Sequence, residues 1–295
     1  MHQGAIPFRA FRFSIHASTN RKHKRRRMTP ILAREYIRRM PGGSQSHLLR
    51  ASDNKLYVVK FVGNPQGTRI LCNELLASLL ARDLGLSVPK PTLIIVPEDF
   101  VRSQPELTFQ LPAKCVSCMP GVQFASTYIC DSEYARMFDA FPESQLTRVQ
   151  NAHEIWGAAV FDTWVVNSDV RQAVYYRTGS HYRVAFIDQG GCFGGSRWRF
   201  PISFVSSGFK KMPCDVAIYE SLMKWLSRIE NLAPDLIHYR AAIVPKEWYA
   251  GSEREFGRVV KQLIKRQPRI RMALARHLPV PNREALLGPA AINAN

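Results

Sequence analysis

Read along its hydrophobic and polar positions, the chain divides into two unlike halves. Apolar and polar residues alternate over 33–39 in the period-two rhythm of a half-buried strand, and Pro41-Gly42-Gly43 breaks it. A strand resumes at His47-Leu48-Leu49. The tetrad Ser52-Asp53-Asn54-Lys55 has hairpin-turn character, and Leu56-Tyr57-Val58-Val59-Lys60-Phe61 follows as a β-branched, aromatic strand. Over 73–84 the period changes: Leu75, Leu76, Leu79, Leu80 and Leu84 form one apolar stripe, stopped by Gly85 and kept from restarting by Pro89. Two further strands are predicted at 92–96 and 107–117, with Pro120-Gly121 as a hinge.

Beyond Ser132 the pattern turns helical. Residues 146–166 lack proline and hold one glycine, Gly157. Short strands at 174–177 and 182–187 meet at a Gly179-Ser180 turn, and helices are predicted at 215–230, 232–243, 252–266 and 268–277. There is no internal repeat. A β-rich half followed by an α-rich half predicts an α+β fold rather than an alternating parallel sheet. The expected units are a leader at 1–29, a β-sheet lobe with one helix at 30–120, a helical lobe at 121–280 and a tail at 281–295.

Composition narrows the class. Apolar residues are 46% of the 295, ordinary for a globular chain, and no run reaches the length of a membrane span. The formal net charge is +18, but residues 1–27 supply eight of it through Arg9, Arg12, Arg21, Lys22, Lys24, Arg25, Arg26 and Arg27 without one acid. That leader reads as a disordered segment or an over-long translation start ahead of Met28, or else as a phosphate-binding arm. A second basic concentration runs from Arg254 to Arg276. Six cysteines are scattered, with Cys115 and Cys118 as the one Cys-x-x-Cys pair and no second pair at zinc spacing. Without an export signal they are expected as reduced thiols in a cytoplasmic protein.

Phosphoryl transfer from ATP needs a loop over the phosphates, a cation on them, carboxylates for Mg2+ and a base or orienter for the acceptor. Gly42-Gly43-Ser44-Gln45-Ser46 lies between strands, where glycine lets backbone N–H groups approach phosphate. No G-x-x-x-x-G-K-[ST] occurs, which argues against a P-loop NTPase. Lys60 ends its strand between Val59 and Phe61 and wants a carboxylate, for which Glu74 on the next helix is the natural partner. Asn167-Ser168-Asp169 closes the long helical stretch, and Asp188 stands where a strand runs into Gly190-Gly191. Each has a plainer reading: a hairpin turn, an edge lysine, a helix-start glutamate, a turn cap, a strand-end aspartate. Their joint order favours chemistry. His153 and Trp156 read as helix-surface or core residues, and His181 is assigned nothing.

These segments together resemble the HipA-like kinases, specifically a short bacterial branch without the N-terminal subdomain of the toxin proteins. The resembling residues continue through His47-Leu48, Asn64-Pro65-Gln66, Asn73-Glu74-Leu75-Leu76, Gly85-Leu86-Ser87-Val88-Pro89 and Ile187-Asp188-Gln189-Gly190. The resemblance implies a two-lobed protein-kinase-like fold with ATP and Mg2+ as cofactors. Gly42, Gly43, Ser44, Gln45, Lys60 and Glu74 are then expected at the nucleotide, Asp169 as catalytic base and Asp188 as metal ligand. The expected reaction is transfer of the γ-phosphoryl group to a Ser/Thr hydroxyl of an unidentified protein acceptor. Ser44 and Ser46 become candidate autophosphorylation positions, since negative charge there opposes ATP.

One departure stands out. The family carries asparagine five residues after the catalytic aspartate as second metal ligand, and here that position is Val174. Either another oxygen substitutes, Gln172 and Gln189 being nearest, or one metal is held weakly, or catalysis is lost. Asp162 and Asn167 also have the Asp-x-x-x-x-Asn spacing of a kinase catalytic loop, but Asp162 sits inside a helical stretch, so Asp169 is preferred. Three functions follow: an active kinase, a nucleotide-binding pseudokinase or regulatory module suggested by Val174, and a basic nucleic-acid-binding protein suggested by the two cationic segments.

Overall fold

The computed structural model describes residues 28–129, 137–138, 143–201, 203–210 and 216–276. The basic leader up to residue 27, the tail at 281–295, Cys130 and Cys214 lie outside the described residues.

β1 (Ile31–Arg39) turns through the glycine pair into β2 (His47–Ala51), and the predicted hairpin leads into β3 (Leu56–Lys60). Asn54 holds that hairpin with a left-handed φ of 63°, while Asp53 accepts the Lys55 N–H at 3.2 Å and the Tyr57 hydroxyl at 2.8 Å. α1 (Arg69–Asp83) follows, then β4 (Pro91–Val96), the short α2 (Glu98–Ser103), and a small hairpin of β5 (Thr108–Gln110) and β6 (Cys115–Ser117). β7 (Gly121–Thr127) then runs antiparallel to both β3 and β4, with Phe124 opposite Lys60 on one side and Leu93 on the other. The strand order is β1-β2-β3-β7-β4, and a short parallel contact of Ile31 with Ile94 and Leu32 with Ile95 closes the sheet.

Three expectations change here. The stretch 107–117 is a hairpin, turned by mutual backbone hydrogen bonds between Leu111 and Lys114. Pro120-Gly121 is no hinge: Gly121, at φ 112°, opens a central strand. The sheet therefore runs past the division expected after residue 120. A buried glutamine hides this strand in the sequence, because Gln123 accepts the Val62 N–H at 2.7 Å and donates to the Met119 carbonyl at 2.9 Å.

The second half begins with β8 (Met137–Phe138) and a 3-10 turn at Glu143–Arg148. α3 (Glu154–Val165), β9 (Gln172–Thr178) and β10 (His181–Ile187) come next, then a glycine-rich 3-10 segment at Cys192–Arg197. α4 (Ser207–Lys210), α5 (Val216–Glu230), α6 (Pro234–Ala241), α7 (Glu253–Arg266) and α8 (Ile270–Ala275) complete the order. The helical stretch expected from 146 starts only at Glu154. Val149 instead bridges to Tyr182, and Asn151 spends its amide on both backbone groups of Val184 and on Glu154. Glu154 in turn accepts the Ser87 N–H and hydroxyl, which ties this loop to the β4 side of the molecule.

Two cores result. Leu49, Val59, Phe61, Ile94 and Phe109 fill the closed sheet, while α1, α3, α5, α7 and β10 share the larger one. α1 lies between sheet and helices, so every residue from Ile70 to Ala81 is buried and the predicted stripe becomes burial all round. At Gly157 the helices touch: a Cβ there would lie 2.2 Å from the Trp225 ring, so only glycine permits α3 and α5 to pack this closely.

Candidate active site

Tyr57 and Val59 point into the core of the sheet, so the two-residue period sends Lys60 to the opposite face, beneath α1. There it is 6% exposed and its Nζ meets Glu74 Oε1 at 2.5 Å and Asp188 Oδ1 at 2.9 Å. Burial alone would make the ammonium more acidic, but the two carboxylates outweigh it and hold Lys60 above the usual lysine value. Glu74 behaves oppositely. Its burial pushes the carboxyl up to about 7 despite Lys60 beside it, and its Oε2 accepts the Gln189 N–H at 3.1 Å.

Asp188 follows β10 with φ 56°, a left-handed conformation that aspartate tolerates better than most residues. This turn aims its side chain at Lys60 rather than along the strand. Burial would raise its pKa, but Lys60 holds it below the ordinary carboxylate range. Oδ1 also takes the Gly190 N–H at 3.3 Å, and Oδ2 faces the Gln172 amide at 3.3 Å.

The glycines after Asp188 lie close against the site. A Cβ on Gly190 would sit 3.0 Å from Ile70 and 3.3 Å from both Asp188 Oδ1 and Glu74 Oε1, and one on Gly191 would sit 2.6 Å from Asn167 Oδ1 and from Asp169 Oδ2, forcing those side chains to shift. Ser168 clamps the loop onto Gly191, donating N–H at 2.9 Å and hydroxyl at 3.0 Å to its carbonyl. Asn167 accepts the Asp169 N–H at 3.2 Å, and the Asp169 residue itself is exposed. The loop starts at Val166, the left-handed end of α3.

Asp162, the competing candidate, is buried in α3 and consumed. It accepts Arg171 Nε at 3.0 Å, a second Arg171 nitrogen, and Asn167 Nδ2 at 3.1 Å. Arg171 further donates to Gln189 Oε1 at 2.7 Å and the Ile187 carbonyl at 3.2 Å.

The glycine loop stands apart from this cluster. Gly42 and Gln45 have φ of 116° and 48°, Gly43 packs on the Gln66 amide, and Ser44 and Ser46 are buried. The Gln45 side chain pairs with the Gln110 backbone through two bonds of 2.7 Å, which pins the loop to the β5–β6 hairpin. Among the described residues, no hydrogen bond joins residues 42–46 to Lys60, Glu74, Asp169 or Asp188. The structure thus unites Lys60, Glu74 and Asp188 directly, and brings Asp169 to them across Gly191.

Asn73 belongs to a segment of the family resemblance but had no assigned task. Its Nδ2 donates to the carbonyls of Gly190 at 2.8 Å and Gly195 at 3.2 Å, and its Oδ1 accepts Trp198 Nε1 at 2.7 Å. Arg69 lies over the Trp198 ring at 4.5 Å. Cys115 is exposed while Cys118 is buried against His47, and burial pushes the Cys118 thiol up to about 12.

Among the described residues no three His, Cys, Asp or Glu side chains converge on one point. Of the carboxylates here, Glu74 is taken by Lys60 and the Gln189 N–H, which leaves Asp188 as the oxygen donor, with neutral amides beside it. One or two carboxylates completed by nucleotide phosphates would suit Mg2+. No helix among the described residues is long and apolar enough to cross a membrane.

The fold has a counterpart among solved structures. A Helicobacter pylori proinflammatory kinase, CtkA, is similar over 86% of this chain and 99% of its own, at 15% identity and a TM-score of 0.56. HipA of Shewanella oneidensis MR-1, from a toxin–antitoxin complex with HipB and operator DNA, aligns over 82% of this chain and 68% of its own, at 11% identity and a TM-score of 0.48. No curated protein matches the sequence. The fold is thus kinase-like, a sheet-rich lobe joined to a helical one. Residues 33–178, 146 of the 295, match the family described as HipA-like kinase, and over that stretch the chain is similar to the HipA-like kinases.

Proposed function

We propose that this chain is an ATP-dependent phosphotransferase that passes the γ-phosphoryl group to a Ser/Thr hydroxyl of a protein. One observation carries the reading: Lys60 is held between Glu74 and Asp188 beside Gly190, with Asp169 facing the adjacent Gly191 from the loop after α3. Glu74 fixes the direction of the ammonium, so Lys60 can bind the α- and β-phosphates without searching rotamers. Asp169, exposed and backed by Asn167, is placed to accept the proton of an incoming hydroxyl. Asp188 is the metal ligand. Mg2+, bound with the nucleotide, would neutralise charge on the transferring group. The loop at Gly42, Gly43, Ser44 and Gln45 would cover the phosphates with its backbone N–H groups. Ser44 and Ser46 are buried, so modification there requires the loop to leave Gln110.

Val174 favours a second reading, a nucleotide-binding pseudokinase. It is 3% exposed and pairs with Ala185 in the β9–β10 ladder, so it offers nothing to a cation. The nucleic-acid reading draws less support, since part of its basic segment is engaged internally. Arg266 donates to the carbonyls of Thr163 and Trp164, Arg271 pairs with Glu230, and Arg258 pairs with Glu255.

Radiolabelled ATP separates these. Transfer to itself or to lysate proteins by wild type, abolished in Asp169→Asn and Asp188→Asn, supports the kinase. A thermal shift with Mg-ATP but no transfer supports the pseudokinase, and no shift at all removes both.

A further inference from the structure

Asparagine is missing where the family's second metal ligand belongs, and the strand that carries Val174 begins with an amide that reaches the site. Gln172 opens β9, opposite Ile187 in the antiparallel register, one residue before Asp188. Its Nε2 lies 3.3 Å from Asp188 Oδ2, the oxygen that Lys60 does not hold. An amide oxygen and nitrogen exchange places by a half-turn about the last side-chain torsion, and Gln172 is exposed enough to make it. After that turn its Oε1 faces the same side as Asp188 Oδ2, as a neutral hard oxygen suited to a divalent cation.

The other candidate is spent. Gln189 is 2% exposed, its Oε1 accepts Arg171 at 2.7 Å and its Nε2 donates to the Phe186 carbonyl at 3.3 Å. Arg171 also removes an objection. Its charge is paired with Asp162 and it donates further to Gln189 and Ile187, so Arg171 presents no unpaired charge against a metal beside Gln172. The same anchoring fixes the backbone immediately before Gln172.

We infer that Gln172 is the companion ligand to Asp188, supplying through its side-chain oxygen what Val174 cannot. This rests on the phosphotransferase reading above, and the experiment separates the two. Mn2+ is titrated into the full chain with ADP present, with free ion followed by electron paramagnetic resonance and metal-free ADP binding measured by calorimetry. The proteins are wild type, Gln172→Ala and Gln172→Glu. Gln172→Ala should weaken Mn2+ by about tenfold, in the range seen for perturbed metal shells, while metal-free ADP affinity holds. Gln172→Glu should restore or tighten Mn2+ binding.

An amide that merely donates a hydrogen bond to Asp188 occupies Oδ2, so its removal in Gln172→Ala would leave Mn2+ binding equal or tighter. Weakened Mn2+ binding in Gln172→Glu, which keeps an oxygen at that position, overturns the inference. Equal Mn2+ affinity in wild type and Gln172→Ala overturns it too, and with ADP binding intact leaves the phosphotransferase reading standing. Failure of wild type to bind ADP removes both.

Discussion

On one side of the strand end at Ile187, Arg171 meets Asp162; on the other, Lys60 meets Glu74 and Asp188. Both clusters pair cations with carboxylates away from water, where such groups survive only if satisfied. The arginine cluster is closed: Asp162 and Arg171 are 4% and 13% exposed in their side chains, and both carboxylate oxygens are taken. The lysine cluster is open at one end. Asp188 is 28% exposed in its side chain, and its Oδ2 meets the Gln172 amide at a long 3.3 Å. A saturated ion cluster can only hold the fold together. One with an unsaturated oxygen can also hold a ligand.

That contrast can be broken most sharply at Arg171. Arg171→Met leaves Asp162 buried without its cation and should cost about 3–5 kcal/mol in urea unfolding. A loss below about 1 kcal/mol would mean that the closed cluster is not structural.

His47 is a buried titratable group outside either cluster. It is enclosed by Tyr36, Phe61 and Phe109, and its Nδ1 lacks a hydrogen-bond partner. Burial, aided by Arg39, lowers its pKa to about 4. The unfolded chain, with a histidine near 6.5, then binds a proton that the folded one refuses. The stabilising term is complete above pH 6.5 and is lost as pH falls toward 4. The loss should reach up to about 3 kcal/mol. His47→Phe should flatten that part of the stability–pH curve, and an unchanged curve would discard the assignment.

Within the open cluster, Gly191→Ala should displace the Asp169 carboxylate. Phosphoryl transfer should fall by about a hundredfold, as expected for a misplacement near 1 Å, with little change in ADP affinity. Activity equal to wild type would show that the close approach across Gly191 is dispensable.

The smallest stability effect is expected at Lys60→Met. Glu74, whose carboxyl burial already raises to about 7, can take up a proton when the lysine leaves. Unfolding at pH 7 should change by less than about 1 kcal/mol, while Mg-ATP no longer raises the melting temperature. A destabilisation near that of Arg171→Met would erase the distinction between the clusters.

The open cluster was the more legible part of the sequence. A lysine ending a β-branched strand and a glutamate on the following helix are local signals, and Asp188 stood out against its glycines. The helices of the second half were predicted where amphipathic spacing was strong. β7 escaped because it opens with Gly121 and carries a buried glutamine, so neither alternation nor composition marks it. Gln172 was named only for its nearness in sequence, and Arg171 not at all. Arg171 meets Asp162 9 residues back on α3, and the β9–β10 register sets Gln172 beside Asp188, 16 residues on. The Gln45–Gln110 lock spans 65 residues and has no sequence signature at all.

Asn73 gives α1 a hold on the segment beyond Asp188, because one amide joins the helix that carries Glu74 to Gly190, Gly195 and Trp198. Such a junction is a thermodynamic link with two ends. A nucleotide that tightened α1 through Lys60 would lower the free energy of ordering residues 190–198, and anything that gripped those residues would raise its affinity by the same factor.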